Sequence, residues 1–223
     1  MYPMTALVIF TVLLINPINI EKTRMIKNRL LPLLICFIAS ALVNNMALAE
    51  SAKLPGNIAV HIAKLHYEHP VRLLHPYLDV WHMKGPLAEK AALKALEKRF
   101  ANVNLCASAE NTNVVLLLEP HMFYNAQLRV FHGEIIARVF ANASAADLET
   151  PLVTVKKQAQ QNGDLGIKPE FYMEKAYAKA MDKVIKKLEV DKTFLAAIDT
   201  TPNGSAANLC AALDDLPLSK IYY

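Results

Sequence analysis

Residues 30–43 read LLPLLICFIASALV, fourteen positions without a charge, preceded by the basic MIKNR of residues 25–29 and followed by NNMALA and Glu50. A short positive segment, an apolar core and a small-x-small end at Ala47-Leu48-Ala49 are the parts of a secretory signal peptide cut after Ala49. The apolar core falls short of the roughly 20 residues that a membrane-spanning helix needs. This feature constrains the chain most. It assigns residues 25–49 to targeting and leaves the 174 residues of 50–223 to build the fold. Cys36 lies within the apolar core without the small residues that precede a lipidated cysteine, so no lipobox is read there. Upstream, residues 5–20 form a second apolar stretch broken by Pro17. We read residues 1–24 as an over-extended start ahead of Met25. The alternative is two short spans with the basic residues 21–29 on the cytoplasmic side. Both readings place residues 50–223 outside the cytoplasm.

The charge balance depends on this division. The whole chain carries 24 Lys and Arg against 20 Asp and Glu. Lys22, Arg24, Lys27, Arg29 and Glu21 belong to the leader, so residues 50–223 have a net charge of only +1. A generally basic, nucleic-acid-binding surface is therefore not expected. With 54% hydrophobic and 20% charged residues, the chain does not have the composition of a disordered segment.

Two cysteines, Cys106 and Cys210, remain after the leader is removed. An even count in an exported domain favours a disulfide. Neither stands in a C-x-x-C motif, so the bond would be a structural tie and not a thiol–disulfide catalyst.

Hydrophobic periodicity then predicts the elements. Residues 50–57 look like a flexible start, and residues 58–67 fit a strand or a short helix. After the breaks at His69-Pro70 and His75-Pro76, residues 77–84 alternate as a strand. Pro86 opens a helix to about Phe100, with Ala92, Leu93, Leu96 and Phe100 on one face. Residues 102–113 are polar and turn-rich around Cys106. The apolar run from Val114 to Leu118 predicts a strand, with Pro120 marking a bulge or a sheet edge just beyond it. Residues 128–142 form the longest strand candidate, with Phe131, Gly133, Ile135, Ala137 and Val139 on one face. Residues 152–157 supply a third strand of an antiparallel meander, and 158–167 a polar loop. From Pro169 to about Val190 a helix carries Met173, Tyr177, Ala180, Met181, Val184 and Leu188 as one apolar stripe. A short helix over 191–199 and an irregular tail over 200–223 complete the chain. The expected class is α+β, an antiparallel sheet of about four strands with two main helices packed on one face, forming one domain over 50–223.

The run VVLLLEPHMFYN, the strand VFHGEIIARVFAN and the long helix ending KKLEVDKTF resemble those of small envelope accessory proteins of Gram-negative bacteria. These are auxiliary subunits and lipoproteins of outer-membrane transport and assembly systems, and the resemblance spans residues 77–194. Such proteins are usually lipidated, whereas this chain lacks a lipobox. The resemblance implies a periplasmic domain, membrane-anchored if residues 1–49 are retained, that binds an envelope protein partner without catalysis or a cofactor.

Several side chains carry possible chemistry. His61, His66, His69, His75 and His82 crowd into 22 residues. His66 and His69, three apart, would share a helix face, and with His61 they make the candidate metal set for Zn²⁺ or Cu²⁺, with Glu68 as a further donor. The spacing matches no zinc motif and two prolines intervene, so turn and surface positions are the plainer reading and metal binding is the alternative function. His121 and His132 stand near Glu119 and Glu134, a pairing that does acid–base work only if it lines a cleft. No nucleophile elbow, P-loop or dinucleotide fingerprint appears, and no catalytic residue is assigned. Tyr67, Tyr77, Trp81, Phe123 and Tyr124 could form an aromatic patch, although aromatics at strand spacing are more often core. The lysines of the last long helix offer a peripheral contact to anionic headgroups, but interspersed acids favour a solvated face. Asn142-Ala143-Ser144 fits a glycosylation acceptor in a eukaryotic setting alone.

Overall fold

The longest pairing in the sheet joins β5 (Val114–Asn125) to β6 (Val130–Ala141), antiparallel from Val114↔Ala141 to Asn125↔Val130. The computed structural model in which it is seen describes residues 53–141, 150–201 and 206–217. The leader and the Asn142-Ala143-Ser144 acceptor lie outside the described residues. Alternation along the hairpin sends Val114, Leu116 and Leu118 with Ile135, Ala137 and Val139 into one apolar core. Asn125 Oδ1 accepts the Leu128 N–H at 3.0 Å and Arg129 has φ 52°, which tightens the turn. Pro120 pairs with Ile135 beyond Ile62↔Leu118, the last pair of β5 with its other neighbour. Its missing N–H thus falls at a local sheet edge, as expected.

The sheet has five strands in the order β4-β1-β5-β6-β7. β1 (Leu54–Ile62) runs parallel to both β4 (Phe100–Leu105) and β5, so the sheet is mixed and not the antiparallel four-stranded one expected. The crossover from β1 to β4 explains this, because the intervening helix returns the chain to the end of the sheet where β1 began. It contains α1 (Leu65–Glu68), a separate hairpin of β2 (Val71–Leu73) and β3 (Val80–His82), and α2 (Lys84–Leu96). The alternating run over 77–84 therefore contributes three strand residues outside the main sheet. β1 starts within the segment expected to be flexible, with a register irregularity between Leu54 and Asn57. β4 lies in a stretch read as turns, because a polar edge strand such as FANVNL lacks an apolar period.

β7 (Val153–Asn162) continues through much of the expected polar loop, paired with β6 from Val139↔Val153 to Val130↔Asn162. α3 (Pro169–Leu188) buries all six stripe residues, and with α2 it packs on the inner face of the sheet. Two main helices on one face and the antiparallel β5–β6–β7 meander are the parts of the expected architecture that the structure retains. Asp191 caps α4 (Lys192–Ile198) by accepting the Thr193 and Phe194 N–H groups at 3.0 and 3.1 Å. The described tail holds α5 (Ala207–Leu213). Leu209, Cys210 and Leu213 join Ala59, Cys106, Val115, Leu117 and Phe140 in a second, smaller core on the outer face. Cys106 and Cys210 lie at disulfide distance, with Cα atoms 6.2 Å apart, inside the range such a bond requires.

Candidate functional site

Alternation that buries the inner face of β5 and β6 presents a polar set on the outer face. Opposite pairs there are Leu117↔Arg138, His121↔Glu134 and Phe123↔His132, and β7 adds Gln158 beside Glu134 and Gln160 beside His132. Ions join across the diagonals. Glu119 Oε2 accepts from Arg138 Nη2 at 3.0 Å, and Glu119 Oε1 stands 3.1 Å from His121 Nε2. Lys156 Nζ lies 3.1 Å from Glu134 Oε1. Glu119 is only 2% exposed, so its charge depends on these partners.

The β2–β3 hairpin, whose Leu73 and Val80 pack on the inner core, borders this face through residues 71–74. Val71, Arg72, Leu73 and Leu74 form one wall of a groove of about 840 Å³, and Lys84 also lines it. His121, Phe123, Tyr124, His132, Gln158 and Gln160 are among the opposing side chains. The volume lies within the usual range for ligand clefts. Leu65, Leu74, Tyr77, Trp81 and Met83, all exposed, cluster in the 65–83 segment, with Leu74 64% and Trp81 58% exposed.

Beneath the groove, His66 of α1 is 1% exposed, and its ring nitrogens have no hydrogen-bond partner. It meets the His121 ring edge-on at a centroid distance of 6.3 Å. Burial, reinforced by the Lys84 and His121 charges against the opposing pull of Glu119, lowers the His66 pKa to about 4. His82, which contacts the Tyr177 hydroxyl at 3.2 Å, is likewise lowered to about 4 by burial and then by Lys84. Burial also lowers the Lys84 ammonium, with Glu119 pulling the other way. Both buried imidazoles are therefore neutral near pH 7.

No protein-family model matches the chain, and no curated protein matches it. Among solved structures, a Xanthomonas campestris protein of the family described as DUF330 is similar with a TM-score of 0.41 and 10% identity, over 60% of this chain and 83% of that one. A Caulobacter crescentus protein assigned provisionally as a lipoprotein is similar with a TM-score of 0.32 and 12% identity, over 63% and 90% of the two chains. Both are remote backbone likenesses. The functional reading stands on this chain's own residues.

The structure scatters the histidine set. α1 ends at Glu68, and His69 is its exposed, extended C-cap, so His66 and His69 share no helical face. His61 points from β1 to Asp214, with Nε2 and Oδ1 3.0 Å apart. His75 Nδ1 accepts the Tyr77 and Leu78 N–H groups at 3.1 Å and shapes the hairpin loop. Among the described residues, the one group of three with ligand atoms within 4.8 Å of each other is His61, Cys106 and Cys210. His61, His66 and His69, the expected metal set, thus stand in different surroundings: His61 on Asp214, His66 buried, and His69 exposed after α1.

The aromatic patch also divides. Phe123 and Tyr124 line the groove, Tyr67 packs beside Gly85 and donates to Glu89, and Tyr77 is 91% exposed. His121 does meet a carboxylate in a concave site, the arrangement that general acid–base chemistry requires. Arg138 also binds that carboxylate, and the described residues that line the groove include no serine, threonine or cysteine. The groove itself combines His121, His132, Gln158 and Gln160 with Leu73, Leu74, Phe123 and Tyr124. Sequence reasoning singled out Glu119, His121, His132 and Glu134 but missed Arg138, Lys84 and Lys156. The period-2 pattern of β5 and β6 could have placed Arg138 on the same face as Glu119.

Proposed function

We propose that residues 50–223 act outside the cytoplasm as an accessory protein of envelope transport or assembly, binding an envelope protein partner without catalysis. The observation that carries this reading is the 65–83 segment, where five large apolar side chains are exposed and one of them, Leu74, lines the groove. Exposed apolar surface collected on one segment next to a cleft is the usual mark of an interaction site. The leader signature ending at Ala49 and the paired cysteines support export to an oxidising compartment. Among the described residues, no helix is long and apolar enough to cross a membrane.

N-terminal sequencing of the mature chain should begin at Glu50, and retention of residues 1–49 would replace periplasmic release with membrane anchoring. For the partner, mild crosslinking of envelope extracts should yield a defined adduct that disappears in Trp81→Glu and Leu74→Glu. It should persist in Val190→Glu, which alters an exposed apolar residue just beyond α3. Equal capture by all three variants would refute the 65–83 segment as the docking surface.

A further inference from the structure

The cluster of His61, Cys106 and Cys210 lies in the outer-face core and takes no part in the groove. Its members come from three separate parts of the chain: β1, the 3-10 turn Cys106–Ser108 and α5. Cys106 and Cys210 are 4% and 6% exposed, and the His61 side chain is 12% exposed. Asp214, just after α5, sets Oδ1 3.0 Å from His61 Nε2 and 3.0 Å from the Lys64 N–H, so its carboxylate is itself held in place. Two sulfurs, an imidazole and an adjoining carboxylate match a borderline-soft, four-coordinate cation.

We propose that this cluster has two mutually exclusive states: a disulfide when oxidised, and a Zn²⁺-class cation site when reduced, held by the Cys106 and Cys210 thiolates and the His61 imidazole with Asp214 beside it. Opening the bond takes two electrons and two protons: two thiols supply both and become a disulfide, whereas a phosphine supplies the electron pair and becomes the phosphine oxide, with water giving the oxygen and the two protons. Each cysteine then releases its proton to solvent as the cation binds. Zn–S bonds of about 2.3 Å and Zn–N bonds of about 2.0–2.1 Å set tetrahedral ligand atoms roughly 3.5–4 Å apart. That spacing fits the 4.8 Å envelope of the three groups once the sulfurs part. Asp214 serves as the fourth ligand or as the acceptor that orients the imidazole. Both states tie α5 to the 3-10 turn after β4, and the cation adds β1 through His61. This inference does not rest on the partner-binding reading.

The test is Co²⁺ titration of the untagged, phosphine-reduced chain. One ion per chain is expected, with a thiolate-to-cobalt charge-transfer band in the near ultraviolet, and reoxidation should abolish the band. His61→Ala should weaken binding at least about ten-fold and still form the disulfide. His69→Ala should bind like the parent. Cobalt bound without sulfur charge transfer, or equal affinity in His61→Ala, overturns the proposal. Should reduction loosen the chain, the thermal transition supplies the readout. Zn²⁺ must raise the Tm of the reduced parent and leave the Cys106→Ser/Cys210→Ser double variant unmoved, and no rise in the parent overturns the proposal.

Discussion

Glu119 shows at the residue scale what a buried carboxylate next to the groove costs. Its carboxylate is 2% exposed and lies between Arg138 and His121. Removing one member of a buried ion pair strands the other. Glu119→Ala should therefore lower unfolding free energy by about 3–5 kcal/mol in urea titration. Glu119→Ala/Arg138→Met should recover most of that loss, because no buried charge is then left uncompensated. Losses that simply add would show the pair to be uncoupled. The buried histidines give the fold a pH dependence of known sign. His66 faces Lys84, His121 and Glu119, and His82 faces Lys84 and Tyr177. Their folded pKa values near 4 lie below the ordinary 6.5, so the unfolded chain binds more protons between these values. Their contribution is fully present above pH 6.5 and is lost as pH falls toward 4. Each should cost roughly 2 kcal/mol between pH 7 and pH 5. Denaturation at those two pH values checks this, and His66→Phe should remove that histidine's share.

At the element scale, α3 meets the sheet closely because β6 carries Gly133. A Cβ at that position would lie 2.9 Å from the Ala176 carbonyl carbon and 3.0 Å from its Cβ. Both neighbours belong to a helix that cannot yield without moving as a unit. Gly133→Val should cost at least about 1–3 kcal/mol, read as a fall in Tm. An unchanged Tm would mean that α3 shifts freely over the sheet. The same helix protects the sheet edge, since Lys179 and Lys183 donate to the Gln160 and Gln158 carbonyls of β7 at 3.3 and 2.9 Å. Lys175 lies 4.2 Å over the Phe171 ring. The lysine face, read in sequence as solvated, is thus partly engaged within the protein. Strand existence was legible wherever one face was apolar, as in β5 and β6. β4 and the end of β7 were not, because strands such as FANVNL and QAQQN are held by backbone pairing and carry few apolar side chains to mark them.

For the whole molecule, the tie between Cys106 and Cys210 closes the longest constrained loop, 104 residues in sequence separation. In the chain-entropy account a loop of that size contributes about 4–5 kcal/mol. Cys106→Ser and Cys210→Ser should therefore lower stability by similar amounts, and the double variant should be scarcely worse than either. Additive losses in thermal melts, or two reactive thiols in protein kept oxidised, would show the cysteines to be unlinked. Leu209 and Leu213 pack on the same outer-face core, so α5 should remain partly docked when the tie is cut.

Sequence alone determined the apolar faces of β5, β6 and α3 and the mixed α and β content, and it supplied the expected division at Ala49 and the even cysteine count. Each of these is local, written in charge, in period or in a count. The parallel placement of β1 between β4 and β5 was decided only in the tertiary structure, because strand order depends on a crossover that no single window of sequence contains. The meeting of His66, Lys84, Glu119, His121 and Arg138 was decided there too. Those residues lie on four different elements, α1, α2, β5 and β6, and only the packing of the two helices against the sheet brings them together.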